Sequence, residues 1–314
     1  VAQESTAATM FENGELDQYQ PTGDYAIKFE KEAEEGKYQY MVTDYPGTIG
    51  LRFNFINGGT SGLMSNVKIR KAISYSIDRE EMIDAVYGRY NPAYSYVAPA
   101  ITFNGSSYRS QVGEVIEDEY NEYVGDPDKI VALFQEGLDE LGVETPIEDI
   151  TLTYLTSGST TEVQAEREYI QQSLEETLGL TVELSVAGDS SLFIADRNEG
   201  NYDFFLGGWY SDYNDPLDFL YTNYTDAYGM SFGGYSNTDY DALADQLVGE
   251  TDMDKRLDIY KQMEQILLLD DCAFAPIYYA TKQVLLQNWV KDYRTSSFGA
   301  SAEFIWTYID GKNQ

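Results

Sequence analysis

The run GGWYSDYNDP, which begins at Gly207, contains the side chains of this sequence that are best placed for ligand chemistry. Trp209 offers a flat apolar surface, and Asp212 offers a negative charge that can pair with a buried ammonium group. Both follow the apolar residues FFL, which predict a strand, and open α/β sheets bind ligands beyond the ends of their strands. A turn or helix cap is the competing interpretation of Asp212, because NDPLDFL follows closely.

The composition excludes several catalytic and metal-binding centres. The chain has no histidine and a single cysteine, Cys272, which lies in an apolar run and is expected to be a small buried residue. A Ser-His-Asp or Cys-His centre, a His-ligated metal site and an internal disulfide are therefore excluded. A hydrolase with paired carboxylates is an alternative, but among 54 acidic residues a pair such as Asp212 and Asp215 carries little weight. We expect no enzymatic activity and no cofactor.

The charge of the chain limits its partners. The 54 acidic and 20 basic residues give a formal net charge of −34, which opposes binding to nucleic acid or anionic lipid. The 314 residues, 43% of them apolar, can form one large domain or two ordinary ones. No segment approaches the ~20 continuous apolar residues of a membrane span. The opening residues VAQESTAATM lack a signal-peptide pattern, so an export signal would have to lie outside this sequence.

Apolar spacing predicts alternating helices and strands, and hence an α/β fold. The clearest unit covers 150–186, where the strand ITLTYL, an amphipathic helix and the strand LTVELSV follow one another. Gly179 ends that helix, and the short joins are typical of a βαβ unit with parallel strands. A short helix over 190–198 and a strand over 202–206 continue the pattern.

Other segments have recognisable start and stop signals. Asp78 and Glu81 form a capping box, which predicts two consecutive helices with a break near Asp78. The sequence further predicts a helix that starts after Asp126-Pro127 and ends at Gly142. The remaining predicted elements are a strand over 51–56, a long irregular connection over 91–124, helices over 238–248 and roughly 253–269, and either a strand pair or one long bent strand from Ala273.

Four segments, in the same order, resemble the bacterial extracellular solute-binding proteins of family 5, which serve oligopeptide and dipeptide importers. The residues at the family's positions are Val67, Arg70, Ala72, Asp78, Arg79 and Ile83 in NVKIRKAISYSIDREEMI; Arg197, Gly200, Tyr202, Asp203, Gly208, Trp209, Asp212, Tyr213, Asp215 and Pro216 in ADRNEGNYDFFLGGWYSDYNDP; and the runs GYSNTDYDALADQ from Gly234 and APIYYATKQVLLQNWVKDY from Ala275.

The resemblance implies a particular architecture. It implies an α/β lobe of the periplasmic-binding-protein type, with a mixed or parallel sheet and flanking helices, together with parts of a second lobe. Family members are much longer than this chain, and the matched segments belong to their second half. By analogy, residues 1–50 are part of the first lobe, residues 51–286 form the second lobe, and residues 287–314 return to the first.

The resemblance also implies a function and a set of contacts. It implies a monomeric binding protein without catalysis, which captures short peptides between two lobes and delivers them to ABC permease subunits in the membrane. In the family's G-W-x-x-D motif the aspartate, here Asp212, binds the amino terminus of the peptide. From the residue types themselves, Trp209 would form a wall of the pocket, unless it is a core residue at a strand end, and Tyr213 and Asn214 would make secondary contacts. An arginine fork suits a carboxylate, so Arg197 would meet the ligand's carboxylate, unless it is a surface residue of a short helix.

Location and ligand are less constrained. The resemblance implies an extracytoplasmic protein, either a cell-surface lipoprotein or a periplasmic one. An oligosaccharide or another small solute is an alternative ligand for the same fold, and the 28 tyrosines suit a sugar. The lack of histidine argues against a metal or haem ligand, and Asp212 favours a ligand with an amine. A surface adhesin is a further alternative that the sequence does not test.

Overall fold

The structure is a computed structural model that describes residues 3–225, 232–298 and 302–312. Within those ranges the strands are β1 (Gln18–Tyr19), β2 (Gln39–Phe53), β3 (Asn91–Pro92), β4 (Thr102–Phe103), β5 (Ser106–Ser107), β6 (Thr151–Ser157), β7 (Thr181–Ala187), β8 (Phe204–Tyr210), β9 (Phe274–Leu286), β10 (Val290–Lys291) and β11 (Tyr308–Ile309). The α-helices there are α1 (Glu4–Glu12), α2 (Gly23–Glu34), α3 (Val67–Tyr75), α4 (Arg79–Met82), α5 (Tyr108–Val112), α6 (Glu117–Tyr123), α7 (Pro127–Leu141), α8 (Thr161–Leu178), α9 (Ser190–Glu199), α10 (Pro216–Leu220), α11 (Thr238–Gln246) and α12 (Met253–Gln265).

One mixed sheet organises the molecule. Its strand order is β1-β9-β2-β8-β6-β7, and β3 pairs with β9 outside that path. Strands β6, β7 and β8 run parallel, whereas β2 is antiparallel to both β8 and β9. The predicted α/β fold class with a mixed sheet and flanking helices is therefore confirmed.

The predicted βαβ unit forms as expected. Strands β6 and β7 pair in parallel from Thr151↔Thr181 to Ser157↔Ala187, and α8 connects them. The hydroxyl of Thr160 accepts a hydrogen bond from Val163 N at 3.2 Å and so caps the start of α8. Gly179, with φ of 76°, ends the helix in the left-handed conformation that glycine adopts without strain.

The helix pair that carries the first family motif breaks at Asp78, as predicted. The Asp78 carboxylate accepts from Glu81 N at 3.0 Å and caps α4. Arg70 and Arg79 of this motif are buried, and they donate to backbone carbonyl groups of distant segments. Arg79 Nε lies 2.7 Å from Pro276 O, and Arg70 Nε lies 3.0 Å from Asp271 O, just before β9. These motif residues therefore connect helices to the sheet.

Two sequence predictions need correction. The strand predicted over 51–56 begins at Gln39 and ends at Phe53. It ends there because the side chain of Asn54 donates to the carbonyl groups of Gly200 and Tyr202, both at 2.8 Å, which turns the chain across the start of β8. The connection over 91–124 is not irregular throughout, since it includes α5, α6 and the β4–β5 pair.

The last predicted element is resolved in favour of one long strand. The sequence left a strand pair or a single bent strand open from Ala273, and the chain forms β9 alone over this region. Just before it, Cys272 is buried as predicted, and burial raises the pKa of its thiol to about 11. The predicted helices over 127–141, 190–198, 238–248 and 253–269 are present as α7, α9, α11 and α12. Helix α11 ends at Gln246, and α12 continues into a short π-helix over Ile266–Asp270.

The buried apolar residues form several separate clusters. One cluster lies between the sheet and α3, α7 and α8, and a second lies on the side of α11 and α12 and includes Phe274 and Tyr279. A third is built by α1, α2 and the end of β9, around Phe11, Phe29 and Leu285. In the described part of the chain, no helix has both the length and the apolar character needed to cross a bilayer.

Candidate functional site

The pairing of β8 with β6 ends earlier than its pairing with β2. The pairing with β6 stops at Leu155↔Phe205, while β8 stays paired with β2 as far as Gly47↔Tyr210. The second half of β8 is therefore bounded on one side by β2 and has left β6 on the other. Such a divergence at the carboxyl ends of parallel strands is a preferred ligand position in α/β folds, and an unpaired strand edge can accept an extended peptide.

Glycine is required at the centre of this half-strand. A Cβ atom on Gly208 would lie 1.9 Å from Thr48 O, so any side chain would push β8 away from β2. The close approach holds the backbone of β8 in place, and Trp209 follows directly. The indole of Trp209 is half-buried and packs against the cluster on the α11 and α12 side of the sheet.

The turn that follows β8 is held from several directions. Ser211 N donates to Pro46 O at 2.7 Å, and Ser211 Oγ donates to Tyr213 O at 2.6 Å. Asn214 forms two hydrogen bonds with Thr102, one from Thr102 N at 2.8 Å and one to Thr102 Oγ1 at 2.6 Å. The turn is thus fastened both to the middle of β2, at Pro46, and to the segment 91–124.

Asp215 fastens the same turn to two helices. Its carboxylate accepts from Leu217 N at 2.9 Å and caps α10. It also accepts from the Tyr260 hydroxyl at 2.8 Å, and Arg256 of α12 lies 3.9 Å away. The helix cap near this motif is therefore Asp215, and the alternative interpretation of Asp212 as that cap is wrong.

The side chain of Asp212 stands apart from these contacts. Its backbone N donates to Asp218 Oδ2 at 2.8 Å, but its exposed carboxylate makes no hydrogen bond or ion pair with any residue that the structure describes. A turn that is held by hydrogen bonds at its other residues therefore presents a negative charge just beyond the end of β8. This arrangement can receive a cationic group without first breaking an internal contact.

The other predicted contacts lie at different distances from this carboxylate. Tyr213 is adjacent and 50% exposed, and Asn214 is engaged with Thr102. Arg197 lies in the last turn of α9, before β8 begins, whereas Asp212 follows the end of β8. The seven-residue strand β8, about 23 Å long at ~3.3 Å per residue, lies between them along the chain. Asp212, Tyr213 and Asn214 are thus brought together with Trp209, and Arg197 is not.

Sequence reasoning missed one residue of this site, Asp218. Its carboxylate is 7% exposed and accepts from Trp209 Nε1 and from Asp212 N, each at 2.8 Å. Its position three residues after the capping Asp215 was visible in NDPLDF, but that spacing on a short helix does not reveal that the side chain turns back toward β8. No group of three or more potential metal ligands occurs among the described residues.

The sequence also matches a family model. The model for the bacterial extracellular solute-binding proteins, family 5 Middle, matches residues 1–231, which is more than half of the chain. The chain belongs to this family. The resemblance that the four motifs indicated is therefore confirmed, and with it membership of a group of solute-binding proteins.

Individual relatives agree with this assignment. The dipeptide-binding protein DppE of Bacillus subtilis is 29% identical over 290 residues, which are 92% of this chain and 49% of DppE. Listeria monocytogenes OppA bound to peptide is 28% identical with a TM-score of 0.77, over 99% of this chain and 57% of that one. An oligopeptide ABC transporter substrate-binding domain from Bacillus anthracis has a TM-score of 0.80 at 23% identity, over 99% of this chain and 58% of that one, and shows the same fold. The chain spans about half the length of the curated relatives it matches.

Proposed function

We propose that this chain forms the second lobe and parts of the first lobe of an ABC importer's solute-binding protein, and that Asp212 captures the amino terminus of a short peptide. The observation that carries the proposal is the carboxylate of Asp212, which has no partner among the described residues and lies on a turn whose neighbouring residues are held by hydrogen bonds. A peptide's ammonium group needs a buried or partly buried opposite charge once two lobes close around it. Binding would end in delivery to the permease, without turnover.

The unpaired half of β8 supports an extended ligand. Backbone groups beyond Phe205 have left the pairing with β6, so a peptide strand could add there and be bound through its main chain whatever its side chains. Trp209 would form an apolar wall beside it, with Tyr213 and Asn214 at the rim. Arg197 lies at the far end of β8, so a ligand carboxylate would reach it only in a long peptide.

The experiment is a calorimetric titration of the full-length protein with peptides of roughly three to six residues, free and N-acetylated. We expect saturable binding without turnover, weakened about 30-fold by acetylation, since a charge-assisted hydrogen bond contributes about 2 kcal/mol. Asp212→Asn should weaken the free peptide by a similar factor and make binding indifferent to acetylation. Tight binding that responds to neither change would remove Asp212 from the site, and binding of oligosaccharides instead of peptides would overturn the ligand class.

We also propose the lobe boundaries that the sequence suggested, with residues 1–50 and 287–314 in one lobe and 51–286 in the other. The cluster around Phe11 and Phe29 is separate from the two larger clusters, and Leu285, next to the proposed boundary, is its one buried residue from 51–286 among those the structure describes. The register of β2 with β9 shifts between Asp44 and Thr48, where a hinge could bend.

Exposed apolar residues near the end of the chain fit that division. Phe304, Ile305 and Trp306 are 60%, 82% and 60% exposed, which is unusual for contiguous large apolar side chains. The remainder of a first lobe would cover them. An extracytoplasmic location, as a surface lipoprotein or in the periplasm, and a monomeric state complete the proposal, and both can be tested on the full-length protein by fractionation and by light scattering.

A further inference from the structure

Asp218 occupies an unusual position for a charged side chain. It lies within α10, is buried, and points back toward the strand end and not out to solvent. Its single atom Oδ2 accepts hydrogen bonds from Trp209 Nε1 and from Asp212 N. One donor belongs to a side chain of β8 and the other to the main chain beyond it, so one oxygen atom fixes the indole and the turn relative to each other.

In the described part of the chain, no ion pair offsets the burial of this charge. Among the described residues, the nearby Arg256 pairs with Asp215 at 3.9 Å, and no Lys or Arg lies within ion-pair distance of Asp218. Burying a carboxylate against two neutral donors is costly, and it is retained only where the hydrogen bonds it makes are needed. Hydrogen bonds to an ionised acceptor are also shorter and stronger than neutral ones, so they hold their donors more firmly.

We propose that Asp218 is a positioning residue of the amine-binding site, which orients the Asp212 carboxylate and the Trp209 indole toward the same ligand. The inference rests on the proposed function, because Asp212 is the group that would touch the ligand. Asp218 itself would act through its two donors. Without it, the turn keeps its links to Pro46 and Thr102, but Asp212 N and the indole N–H lose their common acceptor.

The test measures the acetylation penalty, which is the ratio of the dissociation constants for an N-acetylated peptide and the same free peptide. It uses the full-length protein and two variants. Asp218→Ala removes the acceptor, and we expect it to reduce the penalty by about tenfold. Asp218→Asn keeps an oxygen acceptor in the same place, and we expect it to retain most of the penalty. An unchanged penalty in Asp218→Ala would overturn the proposal. An equal loss in both variants would overturn it too, because the effect would then come from the negative charge of Asp218 and not from its hydrogen bonds to Trp209 and Asp212.

A matched control separates positioning from general loosening. Asp203 is also a buried aspartate beside β8, but it accepts from Ser61 N at 2.8 Å and Thr153 N at 2.7 Å, at the start of the strand. Asp203→Asn should lower the melting temperature and leave the acetylation penalty unchanged. If it reduced the penalty as much as Asp218→Ala, the proposed role of Asp218 would be wrong.

Fluorescence provides a readout that does not depend on affinity. With Trp289 and Trp306 replaced by Phe, the emission of Trp209 should shift to longer wavelength in Asp218→Ala, since its N–H loses a fixed partner, and should stay near that of the parent in Asp218→Asn. A parent protein with no acetylation penalty would overturn the proposed function and this inference together. A clear parental penalty that no Asp218 variant changes would overturn only this inference.

Discussion

The buried ion pair between Glu264 and Arg109 fastens the segment 91–124 to α12, and Glu264→Gln should reduce the free energy of unfolding by about 3–5 kcal/mol. Glu264 has no exposed surface. Its Oε1 atom accepts from two backbone N–H groups of that segment, at 3.2 and 3.0 Å. Its Oε2 atom accepts from the Tyr108 hydroxyl at 3.1 Å and from the Arg109 guanidinium.

The size of this loss in unfolding free energy depends on which hydrogen bonds of the Glu264 carboxylate a glutamine amide can replace. Glutamine keeps the volume and one oxygen, so the two backbone hydrogen bonds can persist. Its NH₂ group then faces Tyr108 Oη and the Arg109 guanidinium, both of which donate to the present carboxylate. The guanidinium also loses its counter-charge while staying buried, with 7% of its side chain exposed. Breaking one side of a buried pair therefore costs several kcal/mol, whereas an exposed pair contributes at most about 1 kcal/mol.

Urea unfolding followed by circular dichroism measures the change, and Glu136→Gln is the matched control. Glu136 pairs with Lys68 at 2.8 Å on the surface, so its loss should change the free energy by no more than about 1 kcal/mol. A Glu264→Gln effect as small as this control would refute the reasoning. A double replacement, Glu264→Gln with Arg109→Met, should recover part of the loss, because it keeps the acceptor for the two backbone N–H groups and removes the unpaired charge.

Three further outcomes are expected. Burial raises the pKa of Glu166 to about 7 from its usual 4.5. The contribution of this group to stability is therefore fully present below about pH 4.5 and is lost as the pH rises through 7. Glu166→Gln should remove that pH dependence, which is measured by comparing urea midpoints at about pH 5.5 and about pH 8. Gly208→Ala should lower both the melting temperature and peptide affinity, because its Cβ would lie 1.9 Å from Thr48 O. Asn214→Ala should weaken peptide binding several-fold while costing only about 1 kcal/mol of stability, since it loses two partly exposed hydrogen bonds to Thr102.

The local elements of this fold could be predicted because their signals are local. The unit over 150–186 has its apolar residues at the spacing of a strand, a helix and a strand, and Thr160 and Gly179 provide the start and stop. The cap at Asp78 is equally local. The end of β2 at Phe53 was missed because its cause, the side chain of Asn54, acts on carbonyl groups almost 150 residues away, at Gly200 and Tyr202.

The site could be predicted only in part for the same reason. The run from Trp209 to Asn214 is contiguous, so one motif brings its members together. Arg197 is close to this run in sequence, but a whole strand of seven residues, roughly 23 Å long, lies between them. Asp218 was missed because the direction of its side chain depends on how α10 packs. Neither its distance in sequence from Asp215 nor the family motif determines that packing.

The family motifs support different conclusions according to where their residues lie. Arg70 and Arg79 are buried and bind backbone carbonyl groups, so the agreement of these two residues with the family motif indicates a shared fold. It gives no information about the ligand. Asp212 makes no contact through its carboxylate with the described residues, so its match has no structural explanation in the fold itself. On a turn that is held through Asp218, this carboxylate supports the proposal that a cationic group binds there from outside. In a chain with a net charge of −34, acidity alone would not support that proposal, which depends on the position of this carboxylate.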